Sequence, residues 1–335
     1  MKTALYASAA LIALASFSTA AVARDQIQIV GSSTVFPFST AVAERFGQSS
    51  GFATPVVEST GTGGGIKLFC EGAGEQSPDI TNASRKIKDS EIDTCVANGV
   101  TAVEIKIGFD GIVLANAASA PAFAITLDQI VAAVAKDIVV DGKVVPNTHV
   151  NWSDIDPSLP NEKIEVLGPP PTSGTRDAFV ELVMVAHCPE EVKAADAEAC
   201  KAVREDGAYI DAGENDNLIV QKLESNPAAV GIFGFSFLDQ NSDKLKGASV
   251  DGVDPTFEAI ADGSYPISRS LFFYIKKEHV GQVPGIQEFA AEFTSDAAAG
   301  PDGYLADKGL IPLPEADLAA ARQAAADLTP VAKSK

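Results

Sequence analysis

Polar and apolar positions change period several times along the chain, and each change marks an element. From Gln26 to Val30 they alternate, as on a strand with one buried face. Gly31-Ser32-Ser33-Thr34 then reads as a turn, and Phe38, Ala41, Val42, Arg45 and Phe46 recur on one helical face. The same plan returns at Pro55–Glu58 as strand, Ser59–Gly65 as a hydroxyl and glycine turn, and Ile66–Phe69 as the opening of a helix. A third copy is Ile164–Leu167, then Gly168–Gly174, then a helix over Thr175–Ala186. Alternating strands and helices with no fixed repeat period predict an α/β fold.

Two longer apolar strands look like crossings between lobes. One is Val103–Val113, interrupted at Gly108-Phe109-Asp110-Gly111, and the other is Tyr265–Ile275. Between them lie further strand and helix patterns at Leu127–Val134 and Val230–Phe237. We expect one lobe from residues 24–108 plus 267–335 and an inserted lobe from 109–266. Asp317–Leu328 reads as an alanine-rich surface helix followed by a frayed tail.

The N-terminus changes this picture. Lys2, an apolar run from Ala4 to Phe17 and small residues ending Ala21-Val22-Ala23 form the pattern of a cleaved secretory leader over residues 1–23. No later stretch is long and apolar enough to span a membrane. Four cysteines follow, Cys70, Cys95, Cys188 and Cys200. An even count in an exported chain suggests two disulfides; three pairings are open, and the sequential one is expected. Zinc is the competing use, but there is no C-x-x-C, and His187 beside Cys188 has no partner at finger spacing. With 25 Lys and Arg against 45 Asp and Glu, the net charge of −20 argues against a nucleic-acid partner. A small anion is still admissible, because charges beyond about 10 Å are largely screened and local dipoles decide.

The three turns share one property. The first N–H groups of a helix lack intrahelical partners and favour negative charge, hydroxyls add donors, and glycine admits an oxygen closely. Converging turns of this kind make a cage for a tetrahedral oxyanion. Singly, each is weak, since Ser33 and Thr34 also suit plain N-caps. The glycine run does not end in the G-K-[ST] of a nucleotide-phosphate loop.

Taken in order, GSSTVFPF (Gly31–Phe38), STGTGGG (Ser59–Gly65), DITNASRKI (Asp79–Ile87), GFDGIVLAN (Gly108–Asn116), PTSGTR (Pro171–Arg176) and YPISR (Tyr265–Arg269) resemble the phosphate-binding proteins of phosphate ABC transporters. The resemblance implies a two-lobed type II periplasmic binding fold with a two-strand hinge. It also implies a periplasmic location, a monomer, inorganic phosphate as ligand, a membrane permease as partner, and neither cofactor nor metal. Carried over, it implies contacts from Ser33, Thr34, the Val35 amide, Thr62 and Ser84, closed by Ser173, Gly174 and Thr175 from the inserted lobe. Two positions depart from it: Arg85 stands where members carry Asp, and Pro169 stands where they carry Arg. Relocated charges would answer both, with Arg85 and Arg176 as cations and Asp110 as acceptor for a protonated phosphate; Asp110 could equally pair an arginine. Scattered histidines (His149, His187, His279) and no G-x-S-x-G elbow argue against an enzyme. A secreted phosphatase, a binder of another oxyanion such as sulfate, and an adhesion module are the alternatives.

Overall fold

The computed structural model describes residues 24–171, 173–213 and 216–333. The expected leader, residues 1–23, lies outside the described residues.

Strands β1 (Gln28–Gly31), β2 (Val56–Ser59) and β3 (Ile80–Ala83) pair in parallel, with β1 in the middle. Next comes β4 (Ala102–Ala117), which with β13 (Ser268–Lys276) forms a long antiparallel pair through the centre. Beyond residue 111, β4 leaves β13 and pairs with β10 (Val230–Gly234) and β11 (Leu245–Gly247); β8 (Val166–Gly168) and β9 (Tyr209–Asp211) extend the sheet in parallel. The path is β2-β1-β3-β13-β4-β10-β8-β9, with β11 on β4. Two small sheets join β5 (Ala124–Ile125) to β12 (Ser249–Val250) and β6 (Asp137–Val140) to β7 (Lys143–Pro146).

The expected break at Gly108–Gly111 is absent, and β4 runs through it for 16 residues. Glycine is needed there for space: a Cβ on Gly108 would lie 2.6 Å from the Ile311 carbonyl oxygen, and one on Gly111 2.7 Å from the Ile260 side chain. The other crossing strand starts at Ser268, later than expected.

The helices that carry the turns are α1 (Phe36–Ser49), α2 (Thr62–Phe69), α3 (Asp89–Ala97), α4 (Leu127–Val134) and α5 (Gly174–Phe179). Part of the expected glycine turn is therefore the first turn of α2, entered through Gly61 at φ 71°. After α5 the chain continues as a π-helical stretch, Val180–Val185, which aims Glu181 back at the sheet centre. The C-terminal helix Glu315–Asp327 buries Leu318, Ala321 and Ala325, and the Val331 N–H donates to the Ala102 carbonyl at 2.8 Å. An amphipathic face and a backbone pairing thus hold a segment that the sequence reads as a surface helix and frayed tail.

Phe46, Phe273, Phe289 and Phe293 lie in the large core, and Ile66, Phe69, Ile92 and Tyr274 in a smaller one beneath α2 and α3. Disulfides join Cys70 to Cys95 and Cys188 to Cys200, the sequential pairing.

Candidate functional site

The first turn is set by β3. A Cβ at Gly31 would sit 2.2 Å from the Asn82 carbonyl oxygen, so only glycine lets the strands approach while the chain turns at φ 124°. The Ser32 N–H donates to that carbonyl at 3.0 Å, and the Ser32 hydroxyl accepts from the Val35 N–H at 3.3 Å. Ser33 and Thr34 do not cap α1; its N-cap position is Val35, without a side-chain cap. Both hydroxyls are left for other partners.

The second turn packs on the first, since a Cβ at Gly65 would meet the Gly31 Cα at 2.4 Å. At its start the Thr62 hydroxyl lies 3.0 Å from the Ser84 hydroxyl and accepts from the Ser84 N–H at 3.1 Å. The third turn comes from across the sheet. Ser173 caps α5 by accepting from the Thr175 N–H at 3.2 Å, and a Cβ on Gly174 would come within 3.1 Å of the Thr34 Cα. First and third turns are in direct contact: the Thr34 hydroxyl reaches the Gly174 carbonyl at 3.5 Å, and the Ser33 hydroxyl donates to Asp177 Oδ2 at 2.5 Å.

These turns enclose a cleft of about 670 Å³. Of the residues expected from sequence, Ser33, Thr34, Thr62, Ser84, Arg85 and Arg176 line it, whereas Val35, Asp110, Ser173, Gly174 and Thr175 are not among its lining residues. Asp177, Glu181, Lys88 and Lys201 also line it, and sequence reasoning missed them.

The charges are mostly paired. Arg85 makes two hydrogen bonds to Glu91, at 2.9 and 2.8 Å. Burial raises the Glu91 carboxyl, but the bonds from Arg85 and the Lys88 backbone outweigh it and hold the group below the usual range. Arg176 is buried, donates to the Pro169 carbonyl at 3.3 Å and stacks 4.6 Å over the Tyr209 ring. Arg269 joins the two halves: Nη2 donates to the Thr34 hydroxyl at 2.6 Å, Nη1 to Glu181 at 2.7 Å, and Nε to Asp110 Oδ2 at 3.3 Å. Burial pushes the Asp110 carboxyl above its usual range, and the Arg269 guanidinium pulls against that shift. Of the two sequence readings of Asp110, the geometry matches arginine pairing. Among the described residues no histidine lines the cleft.

What the arrangement offers is a set of hydroxyl donors with an anionic hydrogen-bond acceptor, the Asp177 carboxylate, already against one of them. Because the Thr34 oxygen accepts from Arg269, its own proton is directed elsewhere.

Residues 18–297 match the PBP superfamily domain. The protein SphX of Synechococcus elongatus is 31% identical over 96% of this chain and 90% of its own length. The phosphate-binding protein PstS of Staphylococcus saprophyticus is 31% identical over 86% of this chain and 80% of its own length. Among solved structures, a possible phosphate binding protein from Planctomyces limnophilus superposes with TM-score 0.73 at 29% identity, covering 90% of this chain and 98% of that one. A substrate-binding protein of a putative phosphate ABC transporter from Clostridium perfringens, solved with bound phosphate, gives 0.52 at 26% identity, covering 86% and 100%. The mixed sheet crossed by β4 and β13 is that of the two-lobed type II periplasmic binding fold. The chain belongs to the PBP superfamily, in the family of the protein SphX and the phosphate-binding protein PstS.

Proposed function

We propose that this protein is a periplasmic monomer that binds inorganic phosphate in the cleft and hands it to an ABC permease, without chemistry on the ligand. Its lobes would be residues 24–108 plus 267–335 and residues 109–266, turning about β4 and β13. Ser33, Thr34, Thr62 and Ser84 donate from the first lobe. The Val35 amide and the Ser173-Gly174-Thr175 turn complete the cage as the lobes adjust, and Arg176 supplies a buried cation. Arg85 is neutralised by Glu91 and serves the rim.

The observation that supports this reading is the 2.5 Å bond from the Ser33 hydroxyl to Asp177, a carboxylate that lines the same cleft. It also moves the acceptor. Asp110 positions Arg269, and Asp177 is the carboxylate that meets the ligand. A carboxylate beside a bound oxyanion is tolerable when that anion brings an O–H to share, as hydrogen phosphate does and sulfate does not.

Calorimetric titration of ligand-stripped protein should give one phosphate per chain, undisplaced by excess sulfate. Asp177→Asn should weaken phosphate about tenfold or more and admit sulfate, in line with a hydrogen bond to a charged group. Unchanged affinities for both anions in Asp177→Asn would remove it from the site, and no phosphate binding by the parent protein would end the reading.

A further inference from the structure

The cleft has more room than inorganic phosphate needs. That ion displaces roughly as much as three waters, at about 30 Å³ each, whereas the cleft measures about 670 Å³. The excess is not a gap between separated walls, because the walls already meet where Ser33 bonds Asp177 and Thr34 reaches Gly174. One side of the space is the ridge formed by α5 and the π-helical stretch after it, which supplies Arg176, Asp177, Val180, Glu181 and Val185 to the lining. Val180 follows Arg176 by four residues, on the same helical face and about 6 Å further along the axis. In an α-helix Val185 would then point about 140° away from Val180. The i→i+5 bonding of Val180–Val185 returns it to nearly the same face, and both valines line the cleft. Val185 is 38% exposed, an uncovered apolar group, and Glu181 is drawn aside by Arg269 at 2.7 Å. The π-helical stretch thus extends an apolar strip outward from the buried cation.

The charges set how many anionic groups fit. Of the lining cations, Arg85 is paired with Glu91 and Lys201 with Glu198, both at 2.8 Å, which among the described residues leaves Lys88 and Arg176 outside any ion pair. Of the lining carboxylates, Glu181 is paired with Arg269, which leaves Asp177. The balance is a single positive charge, enough for one phosphoryl group that keeps a proton and none for a second anion. Among the described residues no aromatic side chain lines the cleft, so nothing there stacks a nucleobase or an aryl ring. What remains for the rest of a ligand is the aliphatic surface of the two valines.

We propose that the cleft takes aliphatic phosphate monoesters as well as inorganic phosphate, with the phosphoryl group in the hydroxyl cage and the alkyl chain on Val180 and Val185. This rests on the reading of the cage given above. A monoester keeps an O–H to share with Asp177 only below its second pKa of about 6, so the monoanion is the form that fits both the acceptor and the charge balance. Each methylene laid on the valines adds hydrophobic contact that inorganic phosphate cannot make.

The test is calorimetric titration at about pH 5.5 with inorganic phosphate, methyl phosphate and n-butyl phosphate, each alone and in competition. n-Butyl phosphate should bind one per chain, displace inorganic phosphate, and bind about tenfold or more tighter than methyl phosphate through its further methylenes. Val180→Thr combined with Val185→Thr, which keeps the shape and makes the strip polar, should bring n-butyl phosphate down to the methyl level and leave inorganic phosphate unchanged. Equal affinity for the two esters, ester binding that phosphate does not compete with, or undiminished ester binding by the double variant would each overturn the proposal. Phosphate binding without ester binding would overturn it and leave the cage standing. Ester binding without phosphate binding would instead end the inorganic-phosphate reading and keep the ester site, and binding of neither would end both.

Discussion

Asp177 lies in the first turn of α5, 144 positions from Ser33, where an acid is ordinary helix chemistry. Its role is therefore invisible in a local pattern, and so is that of Glu91, whose bonds cancel the cation that Arg85 would bring to the cleft. The hydroxyls were legible because they stand in turns before helices; their acidic partners were not, because distance in sequence hides contact in space. Lys276 is another such residue: fully buried, it donates to the Gly72 carbonyl at 2.5 Å and the Ser77 hydroxyl at 2.7 Å. Burial lowers its amine to about 8, against the attraction of Asp79 and Glu278. From pH 8 upward, the unfolded chain holds a proton that the native state has released, so stability should rise with pH. The rise should end near pH 10, where the native Tyr209 phenol, pushed up to about 12 by burial, still holds a proton that the unfolded chain loses. Denaturation midpoints between about pH 7.5 and 9.5 test this, with Lys276→Met as the variant that flattens the slope.

Among elements, the strand–turn–helix units were readable because period and turn residues agree there. The crossings were readable as apolar strands but not in their extent. Glycine ordinarily weakens a strand, and at Gly108 and Gly111 it is instead required by the close approach of Ile311 and Ile260. The alanine-rich helix was readable, but the tail after it was misread, because the Val331 N–H is held by the Ala102 carbonyl, a backbone pairing that leaves no side-chain pattern. The two disulfides should separate stability from function. Cys70–Cys95 ties α2 to α3 within the smaller core, and Cys188–Cys200 closes the segment that ends in Lys201 at the cleft. Replacing either pair by serine should cost about 3 kcal/mol. Only loss of the second should also weaken phosphate binding, which thermal melts paired with titrations would show.

For the whole molecule, the net charge of −20 opposes the approach of an anion that the cleft then holds. Salt screens that long-range repulsion more than it screens contacts inside the cleft. Stopped-flow association of phosphate should therefore quicken as salt rises from about 10 mM to about 150 mM, as the Debye length shrinks from about 30 to 8 Å. A slowing would mean that Lys88 and Lys201 at the cleft outweigh the distant charge. The continuous β4 carries a different consequence. Its first half pairs with β13, which also completes the pairing of β3 through Phe272 and Ala83. The sheet of β1, β2 and β3 thus lacks its central neighbour until residue 276 has been delivered, while β10 and β11 can assemble on the second half of β4, and β8 on β10, beforehand. During vectorial emergence the first segment to appear would be among the last to acquire its native sheet, leaving it extended and threadable for most of the passage.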